Sequence, residues 1–445
     1  MALTSFLMLS GSGAEAAQTG SVADLLLKDE VDRAESLLDQ QPRGAESTAF
    51  RGEIEFRRGD FTRAESLYRE ALDMDPKTAR AHFGLGKLAL TRLKAREAAS
   101  HLKRAIELAP DVGLFHLYAA EAFAVEKNFG AQKTELQEYL KLSSADDPDR
   151  LSEAKSALEM IDALGGKDIG ATHAPPIPEP IPFQTSLNLI FVQLTIDGKG
   201  PFKFVVDTGA TQIVLSEKLA ESLKLKPITT TIMHGVGGGG RVESKLYGLK
   251  ELAIGGVRIT NVPAGTFNDP LVTQLADGIL GTAALSDFVI TINYPARLIE
   301  LAAKKPPASL ASESIPARYF SNLLLVPIEV NGRFKGNFVV DTGAVATVLS
   351  HSMAARLGVT EHTPGAKVDM SVAGVGGMEG LVLRLESVTL KTARNTEEFD
   401  QVVSIDLKQI SRMIGTEVSG VIGYDFLEAY KVILDYYGAE VRLVK

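Results

Sequence analysis

The chain has 445 residues, of which 45% are hydrophobic and 23% charged, enough for about three domains with buried cores. Its net charge of −9 argues against a nucleic-acid groove as the main site. The absence of cysteine excludes disulfides, cysteine nucleophiles and Cys-ligated metals, and the seven histidines form no His-Glu-x-x-His pair. We therefore expect no metal, no cofactor and no nucleic-acid partner.

Residues 1–20 have the features of a targeting segment. The run from Ala2 to Leu9 is apolar, and Ala14-Glu15-Ala16 has the small-x-small form of a signal cleavage site. We expect a signal remnant or disordered residues here, which favours a periplasmic or secreted protein over a cytoplasmic one. No apolar stretch reaches the roughly 20 residues that span a bilayer, so we expect no membrane span.

Residues 21–164 are helical by pattern, because apolar residues recur at spacings of three and four. The pattern repeats after 34 residues, with a weaker third copy at 111–144 and a partial copy at 22–42. Landmarks of the two clear copies are Gly52, Ala64, Tyr68, Ala71 and Pro76, followed by Gly86, Ala98, Leu102, Ala105 and Pro110. This period resembles the tetratricopeptide repeat, a solenoid of helix pairs whose concave face suits peptide segments.

Residues 165–182 contain Gly165-Gly166 and five prolines, a composition that predicts an extended linker. Beyond it, short runs of Val, Ile, Leu and Thr between glycines predict β-strands. A break at 304–314 predicts a second linker between two β lobes, 183–303 and 315–445. The predicted fold is a multidomain chain with an all-α helical-repeat solenoid followed by an all-β pair of lobes.

The two lobes carry one motif twice. Residues 204–216 and 338–350 are identical at ten of 13 positions, at an offset of 134, and both contain Asp-Thr-Gly-Ala. Each copy follows a strand and a tight turn, Asp197-Gly198 or Asn331-Gly332. Each is followed by a glycine-rich segment and then by a short apolar element, Ile279-Leu280-Gly281 or Val421-Ile422-Gly423.

This order of motifs resembles the aspartic proteases, specifically the retropepsin-like branch, over residues 183–445. The resemblance implies acid-protease-like lobes in which Asp207 and Asp341 share one proton and activate a water molecule against a peptide bond. It also implies a protein or peptide substrate. Because one chain carries both aspartates, we expect a monomer with an internal pseudo-dimer.

The neighbours of the aspartates fit the same resemblance. Thr208 and Thr342 are expected to hydrogen-bond across the lobes, and Gly209 and Gly343 to leave the carboxyls unobstructed. The sequence departs from the retroviral pattern at four positions, which puts the ion pairs that stabilise those lobes in doubt: Thr211, Val345, Thr282 and Tyr424.

The glycine-rich segments are candidate flaps over the cleft, with an ordinary surface loop as the alternative. The first segment also matches a dinucleotide fingerprint, but no helical pattern follows it. The candidate flap residues are Gly235, Val236 and Gly237 in the first lobe and Gly374, Val375 and Gly376 in the second.

Three functions are compatible with the sequence. The first is an aspartic endopeptidase whose repeats recruit a protein partner or substrate, or inhibit the protease. The second is a non-catalytic clamp that binds peptides or proteins beside a repeat scaffold. The third is a protease that only processes itself within residues 165–182.

Overall fold

The computed structural model describes residues 21–143, 148–166, 168–234, 241–268, 270–303, 314–370, 372–374 and 377–445. The predicted signal remnant, and residues 304–313 of the predicted inter-lobe linker, lie outside this set. Among the helices of the described ranges, none has the length and apolar character needed to cross a bilayer.

The N-terminal region is helical, as predicted. Its elements are α1 (Val22–Leu27), α2 (Val31–Asp39), α3 (Ala45–Arg57), α4 (Phe61–Met74), α5 (Ala79–Leu90), α6 (Ala95–Leu108), α7 (Gly113–Val125), α8 (Phe129–Leu142) and α9 (Pro148–Ala163).

The helix pairs α3/α4, α5/α6 and α7/α8 repeat with the predicted period. Their first helices begin at residues 45, 79 and 113, and their second helices begin at 61, 95 and 129. A Cβ atom at Gly52 would lie 2.7 Å from the ring of Tyr68, so the small residue lets α3 and α4 approach closely. The solenoid predicted from the 34-residue period is confirmed.

The first lobe begins within the predicted linker. Its elements are β1 (Ala171–His173), β2 (Ile181–Pro182), β3 (Gln184–Ser186), β4 (Leu189–Ile196), β5 (Lys199–Asp207), β6 (Ile213–Ser216), α10 (Glu217–Ser222), β7 (Thr229–His234), β8 (Arg241–Ile254), β9 (Val257–Phe267), α11 (Pro270–Leu275), β10 (Gly278–Gly281), β11 (Val289–Asn293) and β12 (Leu298–Ala302).

The second lobe repeats this order. Its elements are β13 (Ser314–Pro316), β14 (Arg318–Phe320), β15 (Leu323–Val330), β16 (Phe334–Val340), β17 (Val348–Ser350), α12 (His351–Arg356), β18 (Val372–Gly374), β19 (Gly377–Glu379), β20 (Leu383–Lys391), β21 (Thr396–Ile405), α13 (Lys408–Ile414), β22 (Gly420–Ile422), α14 (Tyr424–Leu427), β23 (Lys431–Asp435) and β24 (Glu440–Val444).

Each lobe is a barrel-like sheet. In the first, the strand order is β1-β9-β6-β10-β5-β4-β8-β7, and β8 also pairs with β9, which closes the sheet on itself. In the second, the order is β14-β15-β16-β22-β17-β21-β20, with an additional β15–β20 pairing. The all-β pair of lobes is therefore confirmed.

A third sheet joins the lobes, in the order β13-β24-β23-β11-β12-β2. Its central pair is β11 of the first lobe against β23 of the second, antiparallel from Val289↔Asp435 to Asn293↔Lys431. This sheet holds the two lobes in one fixed relation, so loops at their facing ends can form a shared site. The boundaries of the 165–182 linker stay a prediction, and two of its segments, β1 and β2, pair with β9 and β12.

The solenoid packs directly on the second lobe. The ring of Phe320 lies 6.1 Å from that of Phe56 and 5.9 Å from that of Phe61. All three side chains belong to one buried cluster that spans both regions. The turns between helices also bond to this lobe, since the backbone N–H of Tyr319 donates to the carbonyl of Thr91 at 2.8 Å.

We predict that Phe320→Ala destabilises α3 together with the second lobe, because the ring is part of a core that both share. The unfolding free energy should fall by about 3 kcal/mol. Hydrogen exchange should show reduced protection in both α3 and β15. The control is Leu142→Ala, at an exposed position at the end of α8. Unchanged protection in α3 would contradict a shared core.

Candidate active site

Asp207 and Asp341 stand at equivalent places at the ends of paired strands. Asp207 is the last residue of β5, which runs parallel to β10 with Asp207 opposite Gly281. Asp341 directly follows β16, which runs parallel to β22. The preceding residues, such as Phe204 and Phe338, are fully buried, so the strand ends that carry the carboxyls are rigidly anchored.

The two carboxyl groups lie against each other and share a hydrogen bond. A Cβ atom at Gly209 would lie 2.4 Å from Oδ2 of Asp341, and one at Gly343 would lie 2.4 Å from Cγ of Asp207. Any side chain at either glycine would therefore collide with the opposite carboxyl. The close approach that the sequence analysis expected of these glycines is present.

Backbone amides orient each carboxyl. Oδ1 of Asp207 accepts hydrogen bonds from the N–H groups of Gly209, at 2.8 Å, and Ala210, at 2.9 Å. Oδ1 of Asp341 accepts one from the N–H of Gly343 at 2.8 Å. These bonds occupy the Oδ1 atoms and leave the carboxyls facing each other across the boundary between the lobes.

Burial, and after it the negative charge of Asp341, raises the pKa of Asp207 well above the ordinary range. Burial also raises the pKa of Asp341, although hydrogen bonds from the backbone of Gly343 and Gly209 partly oppose this shift. Two such carboxyls titrate as a unit, since ionising one disfavours ionising the other. The pair therefore holds one proton over an extended pH range.

Thr208 and Thr342 form four hydrogen bonds across the lobes. Oγ1 of Thr208 donates to the carbonyl of Val340 at 2.7 Å and accepts from the N–H of Thr342 at 3.0 Å. Oγ1 of Thr342 donates to the carbonyl of Val206 at 2.7 Å and accepts from the N–H of Thr208 at 3.1 Å. Both threonines are buried, so this reciprocal set fixes the spacing of the two loops.

Two asparagines that the sequence analysis missed make a second symmetric link. Nδ2 of Asn188 donates to the carbonyl of Val345 at 3.1 Å, and Nδ2 of Asn322 donates to that of Thr211 at 3.3 Å. Both asparagines, and both acceptors, are 134 residues apart. The same offset that revealed the motif would have found them. They link the lobes at two of the positions where the retroviral pattern has an acidic residue.

The other two departures from the retroviral pattern also support the loops. The hydroxyl of Thr282 donates to the carbonyl of Asn322 at 2.8 Å, while the N–H of Tyr424 donates to that of Ala344 at 2.9 Å. Beside Tyr424, the carboxylate of Asp425 accepts hydrogen bonds from both the N–H and the hydroxyl of Thr347.

Most of the candidate flap residues lie outside the described residues, namely Gly235, Val236, Gly237, Val375 and Gly376. Gly374 ends β18, which pairs with β19. The strands β7 and β8 that lead to the first candidate flap form an antiparallel hairpin from Thr229↔Leu246 to His234↔Arg241. In the part of the chain that the structure describes, no group of three or more His, Asp or Glu side chains could hold a metal ion.

Comparison with known families agrees with this division of the chain. A family model described as aspartyl protease matches residues 192–284 and 326–426. A second, described as tetratricopeptide repeat, matches residues 31–79, 51–95 and 83–147. The protein thus contains an aspartyl protease domain, built from two segments, behind an array of tetratricopeptide repeats.

Comparison with individual proteins adds little. No curated protein matches the chain significantly. Among solved structures, the helical region is similar to the first tetratricopeptide domain of Spaghetti (RPAP3) bound to an HSP90 peptide. That match is 18% identical and covers 27% of this chain and 90% of the other, with a TM-score of 0.24.

We predict that Thr208→Val weakens the union of the lobes. The change keeps the side-chain shape but leaves the carbonyl of Val340 and the N–H of Thr342 without their buried partner. Urea denaturation should show a loss of about 2–4 kcal/mol in unfolding free energy. Thr208→Ser keeps the hydroxyl and should lose much less; equal losses in the two variants would contradict the hydrogen-bond explanation.

The raised pKa of the pair predicts how stability depends on pH. Because the folded state binds the proton more tightly than an unfolded aspartate, the pair costs stability as the pH rises from about 4 through its raised pKa. Asp207→Asn removes this cost, which is about 1.4 kcal/mol per pKa unit. The variant should therefore gain stability relative to wild type between pH 4 and pH 7 in thermal unfolding. A difference that does not change with pH would contradict the shift.

Proposed function

We propose that this protein is an aspartic endopeptidase of the retropepsin-like type, in which Asp207 and Asp341 are the catalytic pair. The observation that carries the proposal is the direct contact of two carboxyls from equivalent loops, each with a raised pKa. A general acid and a general base are thereby supplied by one pair of identical groups.

In this mechanism the two carboxyls have interchangeable roles. The ionised aspartate removes a proton from a water molecule held between the pair, and that water attacks the carbonyl carbon of the peptide bond. The protonated aspartate hydrogen-bonds to the carbonyl oxygen and gives up its proton as the tetrahedral intermediate forms. Transfer of a proton to the leaving nitrogen then allows the C–N bond to break, without a covalent enzyme intermediate.

The fold favours a single chain as the active unit. One chain supplies both loops, and the β11–β23 pairing already joins the lobes as a pseudo-dimer. The protein therefore needs no second copy to complete the site, and we propose that it acts as a monomer on a protein or peptide substrate.

We also propose that the repeats bring a protein partner or substrate to the protease. The last helix, α9, packs against β7, the strand that leads to the first candidate flap. The hydroxyl of the buried Ser156 lies 2.8 Å from the carbonyl oxygen of Thr230 in β7. A protein bound along the array would therefore lie beside the entrance to the cleft.

We predict that Asp207→Asn and Asp341→Asn each abolish cleavage, because either change removes the acid–base pair. The assay is cleavage of an unbiased peptide pool between about pH 3 and 8, read by mass spectrometry. Both variants should lose at least about 1,000-fold in kcat/KM, in line with removal of acid–base catalysis at both steps. The matched control is Asp400→Asn on the exposed face of β21, which should cleave like wild type.

Two outcomes would contradict the proposal. Cuts that persist in both variants would come from another site or a contaminant. No cuts by folded wild-type protein at any pH, together with peptide binding that survives Asp207→Asn, would favour a non-catalytic clamp.

A further inference from the structure

We infer that the two ends of the cleft differ in chemistry, and that Leu187 and Val345 select an apolar side chain of the substrate at one end only. The equivalent residues at the other end are Ser321 and Thr211, which are polar. This inference rests on the proposed peptidase function and specifies the substrate class for that site.

The pseudo-twofold symmetry defines the two ends. Leu187 precedes Asn188, whose side chain bonds to the backbone of Val345. The second end has the same arrangement, since Ser321 precedes the asparagine that bonds to the backbone of Thr211. Leu187 and Val345 are thus neighbours at one end, and Ser321 and Thr211 at the other.

Both ends lie close to the carboxyl pair. Val345 and Thr211 each follow an aspartate by four residues, so neither can be more than about 13 Å from it along the chain. An extended peptide rises about 3.3 Å per residue. Each pair can therefore contact substrate side chains within about four residues of the cut bond, on opposite sides of it.

The apolar pair is exposed where folding gives no reason for it. Leu187 is 67% exposed and Val345 is 49% exposed, although hydrophobic side chains gain stability only when buried. Leu187 also has a φ of 53°, in the left-handed region that is unfavourable for a bulky side chain. It occupies a two-residue hairpin turn between β3 and β4, where Asn or Gly is usual.

An apolar substrate side chain would cover these two residues and remove their surface from water. The opposite end gains nothing from such a side chain, because the hydroxyls of Ser321 and Thr211 would lose hydration. The cleft should therefore select an apolar residue on one side of the cut bond and tolerate polar residues at the mirror position.

The test exchanges the two ends. In the double variant Leu187→Ser, Val345→Thr, each residue becomes its counterpart from the other lobe. The reciprocal double variant is Ser321→Leu, Thr211→Val. Both are compared with wild type on the same peptide pool, with kcat/KM measured for peptides that differ at single positions.

Wild type should show apolar selection at one position on one side of the cut bond. The first variant should lose about tenfold of that selection while still cleaving peptides that are polar there. The reciprocal variant should gain apolar selection at the mirror position, which tests the inference even if the first variant fails to fold.

Two results would overturn the inference, and they are distinguishable. If wild type and both variants cleave with the same selectivity, the inference is wrong while the peptidase function stands. If wild type cleaves no peptide, the proposed function fails and the inference fails with it.

Discussion

The reciprocal hydrogen bonds of Thr208 and Thr342 are the interaction on which the site depends. Each threonine bonds to the backbone of the opposite lobe just before its aspartate, so the distance between the carboxyls is set by four short, buried bonds. Two carboxyls in contact are electrostatically unfavourable when both are charged. Without a rigid link between the loops, they would move apart rather than share a proton.

The rest of the protein keeps this link under constraint. The sheet centred on β11 and β23 joins the lobes, and the shared core of Phe56, Phe61 and Phe320 joins the second lobe to the repeats. The repeats contact the first lobe as well, through α9 and β7. The helical array is therefore part of the protease's packing, and a ligand that changes its curvature would act on both lobes.

Much of this arrangement could be predicted from the sequence, because internal duplication reports on structure directly. The offset of 34 gave the helix pairs, and the offset of 134 gave the two loops around Asp207 and Asp341. Asn188 and Asn322 were missed because the residues beside them, Leu187 and Ser321, differ between the copies. That same difference is what makes the two ends of the cleft chemically distinct.

Contacts between unrelated segments could not be predicted. Phe56 and Phe320 are 264 residues apart, and nothing in their local sequence indicates that they meet. The pairing of β1 with β9 likewise depends on three residues that follow two glycines, in a segment whose composition is typical of a linker. Such contacts are set by how whole domains pack, which periodicity and motif order do not encode.

The central claim is that Asp207 and Asp341 act as one titrating unit. The most direct measurement is a carbon-13 NMR titration of the aspartate carboxyls, assigned with Asp207→Asn and Asp341→Asn. The account predicts that both signals respond to each of two well-separated protonation steps, the upper one far above the ordinary pKa of aspartate. Two independent single titrations near pH 4 would contradict it.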